Sequence, residues 1–161
     1  MLPNWQNVQR VLVMQLGTHQ DILQTIPVVE RLRQLLPDAT ITFMVPVKSR
    51  YIGLHLPWVD EVFVYEGAGT KFINPEHELT LISTLRQRAF DAAVICTQPG
   101  QSPYSLAYIC YLAGIKIRIG QSQEFGGGVL SQCTDVLFEA SLQIMTNDND
   151  TITHPYVAHP R

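Results

Sequence analysis

The sequence predicts an α/β fold, a Rossmann-like open parallel sheet of about five strands with helices on both faces. Three observations predict it. Short apolar runs rich in β-branched residues recur at residues 11–16, 40–45, 61–65, 91–96 and 115–119. Segments with apolar residues at helical spacing separate them. Glycine or proline stands at many of the junctions, where the chain must change direction.

Residues 11–16, VLVMQL, suit a strand covered on both faces, and Gly17 can turn the chain sharply after it. Ile22, Ile26, Val29, Leu32 and Leu36 then recur at steps of three and four, the spacing of a helix with one face on a core. Residues 17–21, GTHQD, are therefore a strand-to-helix loop that delivers Asp21 to a helix start. Pro27 lacks an N–H and clashes with the preceding turn, so either the first turn is kinked or Thr25 recaps a helix that begins there. Leu36-Pro37-Asp38 ends the periodic run, and residues 40–45 form a second strand, completing a β-α-β unit.

The pattern repeats. Residues 50–56 read as a short helix bounded by Pro57, residues 61–65 as a third strand, and residues 66–75 as a loop holding Gly67 and Gly69. Leu79, Ile82 and Leu85 mark a helix over residues 76–88, and DAAVIC at 91–96 is the fourth strand. TQPGQSP at 97–103 is a second loop, since two prolines and a glycine exclude regular structure. Residues 104–113 form a helix ended by Gly114, and residues 115–119 a fifth strand with Lys116 and Arg118 alternating outward. With strand order 3-2-1-4-5, the loops at 17–21 and 97–103 flank the point where strand order reverses, and their residues converge on one cleft.

Beyond Gly120 the signal fades. Residues 124–131 read as a glycine loop, residues 136–145 as one short helix, and the polar stretch from Thr146 as a disordered tail. The expected organisation is one domain over 1–131, with 132–161 as a short helix plus tail.

With 161 residues the chain can bury one sizeable core. A net charge of -3 and 16% charged residues leave no basic stripe for duplex nucleic acid, so no nucleic-acid partner is expected. No apolar run approaches the roughly 20 residues of a membrane span. The N-terminal MLPNWQNVQR lacks the apolar centre of a signal peptide, and a cytoplasmic protein is expected. Cys96, Cys110 and Cys133 are odd in number and widely spaced in mostly apolar surroundings, so they read as buried free thiols rather than disulfides or zinc ligands. No metal is expected.

Asp21 has two open readings: an N-cap that accepts the free N–H groups of a first turn, or an acid facing the cleft. His19 shares its loop, as an exposed loop residue or a site residue. The loop fits neither GxGxxG nor GxxxxGK[ST], which argues against NAD-linked oxidoreductases and ATPases. The triplet Gly126 to Gly128 lies outside a strand-to-helix turn and reads as a plain flexible loop. Gln98, Gln101 and Ser102 carry amide and hydroxyl groups suited to sugar hydroxyls, and equally suited to an ordinary turn. Lys48, Arg50, Arg86, Arg88 and Arg118 are cations available to an anionic acceptor; Arg86 and Arg88 read better as a solvated helix face. Arg118, at the end of a strand, is the best placed to pair a phosphate or carboxylate through two prongs.

RVLVMQLGTHQDILQTIPVVERLRQLLPDATITFMV, WVDEVFVY, RAFDAAVICTQPGQS and LAGIKIRIG, in that order, resemble the N-terminal half of glycosyltransferase family 9, the lipopolysaccharide heptosyltransferases. The resemblance covers about residues 8–131. It implies a GT-B architecture, in which two Rossmann-like domains face a cleft, the N-terminal one holding the acceptor and the C-terminal one the nucleotide-sugar donor. It implies inverting, metal-independent transfer from a donor of the ADP-heptose type to a lipopolysaccharide-core or related glycan or glycolipid acceptor, with Asp21 as general base. Gly17, Thr18, His19, Gln20, Gln98, Gly100, Ser102 and Arg118 would then line the acceptor side. No cofactor is implied, since the nucleotide sugar is a substrate. The setting would be lipopolysaccharide biosynthesis in the cytoplasm, including the inner membrane face.

Two residues depart from the family pattern: Gln20 stands where a Gly usually precedes the aspartate, and Gln15 where a basic residue is frequent. The length of 161 residues leaves no room for a donor-binding domain, so the chain is expected to show little transfer alone. A separate donor-binding domain, or self-association through the bare donor-facing surface, is the expected partner. The competing reading is a noncatalytic α/β binding or scaffold module derived from such an enzyme.

Overall fold

The computed structural model describes Trp5 and residues 7–66, 75–97, 104–121 and 132–134. Chain order is β1 (Arg10–Met14), α1 (His19–Leu35), β2 (Thr40–Pro46), a 3-10 turn (Val47–Ser49), α2 (Arg50–Leu54), β3 (Glu61–Tyr65), α3 (Pro75–Arg88), β4 (Ala92–Ile95), α4 (Tyr104–Leu112), β5 (Ile117–Gln121) and β6 (Gln132–Thr134). They build a six-stranded sheet in the order β3-β2-β1-β4-β5-β6, with every pair parallel. The order expected for the first five strands is the order found. The sixth, β6, sits outside β5 where the sequence pattern had faded, with Ile119 opposite Gln132.

Alternation along the strands sends side chains to two cores. Val11, Val13, Ile41, Phe43, Val45, Ala92 and Val94 face one side, where Ile22, Val29 and Leu32 of α1 cover them. Leu12, Met14, Met44, Ala93 and Ile95 face the other, beneath Leu81 and Leu85 of α3 and Ala107, Ile109 and Cys110 of α4. The central strands β1 and β4 are therefore apolar on both faces, as a covered parallel sheet requires.

Two polar clamps fix the end of the sheet where the strands begin. Asp91 accepts the backbone N–H groups of Gln9 and Arg10 at 2.8 and 2.9 Å, which sets the start of β1 beside β4. Arg33, in the last turn of α1, spends all five guanidinium donors: on Trp58 O twice, on Pro37 O, on Ala39 O and on Asp60 Oδ2. Asp60 Oδ2 also accepts Ile41 N–H at 2.8 Å, so one ion pair joins α1 to the segments that open β2 and β3.

Three expectations are corrected. α1 is one helix of 17 residues that passes through Pro27, and Thr25 lies inside it rather than capping it. Thr18 is the N-cap, so Asp21 is not; Asp21 is the third helical residue. The fifth strand begins at Ile117, two residues later than the pattern placed it, because Gly114 (φ +79°) and Ile115 first close α4. Gly114 N–H bonds Tyr111 O and Ile115 N–H bonds Cys110 O, both at 3.0 Å, a left-handed helix stop that glycine adopts without strain. Residues 124–131, 136–145 and the tail from 146 fall outside the described residues.

Candidate functional site

β1 and β4 are neighbours whose chain departs in opposite directions, through α1 over one face and α4 over the other. Their carboxyl ends, together with that of β2, are laid level by Gln15 N–H on Met44 O at 3.0 Å and Cys96 N–H on Met14 O at 2.9 Å. This is the reversal of strand order at which open parallel sheets take ligands.

Gly17 to Asp21 occupy that position as a reciprocal cap. Thr18 Oγ1 accepts Asp21 N–H at 3.2 Å, while Asp21 Oδ2 accepts Thr18 N–H at 2.9 Å. Only Oδ2 of the carboxylate is engaged among the described residues, and the side chain is half-buried. One carboxylate oxygen thus fixes the side chain against the loop, though from the third helical position and not as the N-cap that one sequence reading gave it. Gly17 is required for a reason the sequence did not show. A Cβ there would meet Asp21 Oδ2 at 2.2 Å and Asp21 Cβ and Cγ at 2.9 Å. The loop backbone lies against the acid itself.

Beneath the loop runs a buried polar chain. Gln15, 2% exposed, accepts Gly17 N–H on Oε1 at 3.0 Å and donates from Nε2 to Thr25 Oγ1 at 3.1 Å. Thr25 Oγ1 in turn donates to Asp21 O at 2.9 Å. Burial pushes the Cys96 thiol up to about 12, with a hydrogen bond to Thr25 acting weakly the other way. Cys96 is therefore a thiol at neutral pH and not a nucleophile. Gln15 and Thr25 are the site's supports that pattern reading missed; the visible signal was a lone amide in the run VLVMQL and a Thr on the buried stripe of α1.

His19 joins α1 to the segment after β2. Its Nε2 lies 3.0 Å from Lys48 O, which can only accept, so Nε2 carries the proton. Nδ1 is then the acceptor for Tyr51 OH at 3.3 Å, and the two rings meet edge to face with centroids 5.6 Å apart. Gln20 is exposed beside it.

The structure brings Gly17, Thr18, His19, Gln20 and Asp21 together. Gln98, Gly100 and Ser102 lie outside the described residues. Arg118 is not brought to the loop. Because β5 starts at Ile117, Arg118 stands opposite Ala93 near the beginning of the strand. Its guanidinium covers the Tyr111 ring at 5.3 Å and bonds Ile115 O and Lys116 O, away from the carboxyl ends. Cys96 and Cys110 are free and buried. Among the described residues no three His, Cys, Asp or Glu side chains gather as metal ligands, and no helix is long and apolar enough to cross a membrane.

No family model and no curated protein matches the sequence. Solved structures do match the fold. The ADP-heptose LPS heptosyltransferase II of E. coli superposes with a TM-score of 0.64 at 22% identity, over 93% of this chain and 39% of that one. A glycosyl transferase of family 9 from Veillonella parvula gives 0.63 at 17% identity, over 90% of this chain and 42% of that one. The E. coli heptosyltransferase WaaC, solved with ADP, gives 0.58 at 13% identity, over 91% and 49%. The chain spans between two fifths and one half of these proteins. Its parallel α/β sheet has the fold of one part of a heptosyltransferase of glycosyltransferase family 9.

Proposed function

We propose that this chain is the acceptor-side portion of a heptosyltransferase-like glycosyltransferase, with Asp21 as its general base. The observation that carries the reading is the fixed carboxylate at the strand-order reversal, with Oδ2 tied to Thr18 N–H and Gly17 pressed against it. In an inverting transfer the acceptor hydroxyl attacks the anomeric carbon as its proton passes to Asp21, and the nucleoside diphosphate leaves from the opposite face. A carboxylate that needs no reorganisation in a closed cleft suits that step. The donor would be a nucleotide sugar of the ADP-heptose type, and the acceptor a lipopolysaccharide-core or related glycan. His19, Thr18 and Gln20 would contact that acceptor at the rim of the loop, and Gln98, Gly100 and Ser102 are proposed to share in binding it. The fold shared with heptosyltransferases supports the reaction class, and the cap geometry supports the residue.

The test is acceptor binding to the 161-residue chain, read by backbone NMR with a heptose-acceptor core oligosaccharide. Shifts centred on the amides of Thr18 to Asp21 are expected. Undisturbed amides at saturating oligosaccharide would overturn the reading. The second reading, a noncatalytic module on the same fold, is favoured by Gln20 in the place usually held by glycine. It predicts binding with no transfer even when a donor-binding domain is supplied, fused or in trans.

A further inference from the structure

The end of the sheet opposite Asp21 is cationic in a chain whose net charge is -3. Arg10, Arg33, Arg86, Arg88, Lys116 and Arg118 stand at the first residues of the strands or in the turns that lead into them, against the acids Asp38, Asp60, Glu61 and Asp91. Six of the chain's 11 Lys and Arg thus gather at one end. A cavity of about 650 Å³ opens there, where the chain enters β1, β4 and β5. That volume is within the roughly 300–1,000 Å³ of small-molecule sites. Val8 and Phe90, both buried, and Ile117, half-buried, give it an apolar lining, while Arg86 and Lys116 are its exposed cations.

The helix end beside the cavity does not use up these cations. The last carbonyls of α4 already have donors: Cys110 O accepts Ile115 N–H and Tyr111 O accepts Gly114 N–H, both at 3.0 Å, and Leu112 O accepts Arg86 Nη2 at 3.1 Å. That single bond anchors the Arg86 guanidinium from α3 across to α4, and its other nitrogens have no partner among the described residues. Lys116 has no side-chain bond among the described residues, and neither cation pairs with an acid there. Asp91, also in the lining, spends Oδ2 on the N–H groups of Gln9 and Arg10 and leaves Oδ1 without a partner among the described residues. The cavity therefore offers two unpaired cations, one carboxylate oxygen and an apolar wall.

We infer that this cavity is a second binding site, for a small organic anion that carries a ring: its phosphate or carboxylate meets Arg86 and Lys116, and its ring lies on Val8, Phe90 and Ile117. The anchored guanidinium suits such an acid group, since its fork loses little freedom on binding. Asp91 Oδ1 is an acceptor for a hydroxyl or amino group on the same ligand. The site is separate from the Asp21 loop, which lies beyond the other end of β1, about 15 Å of strand away. It holds whether or not Asp21 removes a proton. A ligand there touches the segments that open β1, β4 and β5 together, so occupancy stabilises the pairing that the Asp91 clamp begins.

The test is titration of the 161-residue chain with phenyl phosphate and with benzoate, read by backbone NMR and by melting temperature. At least one probe should move the amides of Val8, Asp91, Gly114 and Ile117 and leave those of Thr18 to Asp21 in place. Binding of one and not the other identifies the acid group, phosphate or carboxylate. At ten times its Kd the bound probe should raise the melting temperature by about 3–6 °C. Lys116→Gln, which breaks no bond among the described residues, should weaken binding about threefold, and Arg86→Gln with Lys116→Gln about tenfold. Lys48→Gln with Arg50→Gln removes the same charge elsewhere and should leave the affinity within twofold. Benzyl alcohol and inorganic phosphate, each with half of the chemistry, should bind more weakly than the better of the two probes. No shift with either probe at millimolar concentration, shifts centred on Thr18 to Asp21, or affinity unchanged in Lys116→Gln would overturn the proposal. So would benzyl alcohol or inorganic phosphate binding as tightly as the better probe.

Discussion

Replacing Gly17 by alanine tests whether the loop is built around the Asp21 carboxylate. The added Cβ would sit 2.2 Å from Asp21 Oδ2, which is roughly 1 Å inside ordinary contact, so backbone or carboxylate must move. The Asp21 side chain is short and its Oδ2 is held by Thr18 N–H, so movement breaks the reciprocal cap. Loss of such a cap costs about 1 kcal/mol, and residual crowding adds about 1 more. A total near 2 kcal/mol should lower the thermal midpoint by about 4–8 °C for a domain of this size. Urea denaturation at pH 7 measures the loss, and amide exchange at Thr18 reports the broken bond directly. Asp21→Ala removes the two carboxyl atoms that the new methyl strikes, so Gly17→Ala in that background should cost at least about 1 kcal/mol less. Equal costs in both backgrounds would show that the glycine serves the turn and not the acid.

The remaining predictions concern the supports. Arg33→Lys should destabilise by about 2 kcal/mol, since one ammonium cannot serve four acceptors that the planar fork reaches together; urea midpoints within error of the parent would contradict this. Ala89, in the left-handed region at φ 53° after α3, should gain about 1 kcal/mol on replacement by glycine, read as a higher melting temperature. Cys96 and Cys110 are both pushed from 9.0 to about 12 by burial, so the unfolded chain loses these protons first. Stability should be fully present below about pH 9 and fall as pH rises toward 12, by up to about 1.4 kcal/mol per pH unit for each thiol. Cys96→Ala should reduce that slope by about half, and an unchanged slope in urea titrations at pH 9.5 would refute the assignment.

Much of the scaffold was legible because a covered parallel sheet writes itself in apolar runs. VLVM, ITFMV and AAVI needed only length and branching to be recognised, and the helix stripe Ile22, Val29 and Leu32 needed only its period. Pro27 misled because the sequence shows the missing donor and not the tertiary packing of Val29 and Leu32, which holds the helix through it. Arg118 misled by two residues of register: a helix stop at Gly114 and Ile115 consumed the start of the apparent strand. β6 carries the short polar-edged sequence QCT, which no periodicity marks and which only pairing to β5 orders.

In the site, the position of Asp21 was readable from a strand, a glycine and a helix start. Its geometry was not. Whether Thr18 or Asp21 caps depends on a three-residue difference in where the helix starts, and the Gln15–Thr25 bond joins residues that sequence places on separate elements. Sequence accounts for Gly17 by the turn alone; its close approach to the carboxylate exists only once the helix is formed.

The central claim is that Asp21 takes the acceptor proton, and turnover of this chain supplied with a donor-binding domain, fused or in trans, tests it most directly. With a core-oligosaccharide acceptor and an ADP-heptose donor, Asp21→Asn keeps the size, and its amide oxygen can keep the bond to Thr18 N–H. The account predicts a fall in kcat of about 10²–10⁴ with an unchanged acceptor KM and melting temperature. Turnover by Asp21→Asn within threefold of the parent would contradict it.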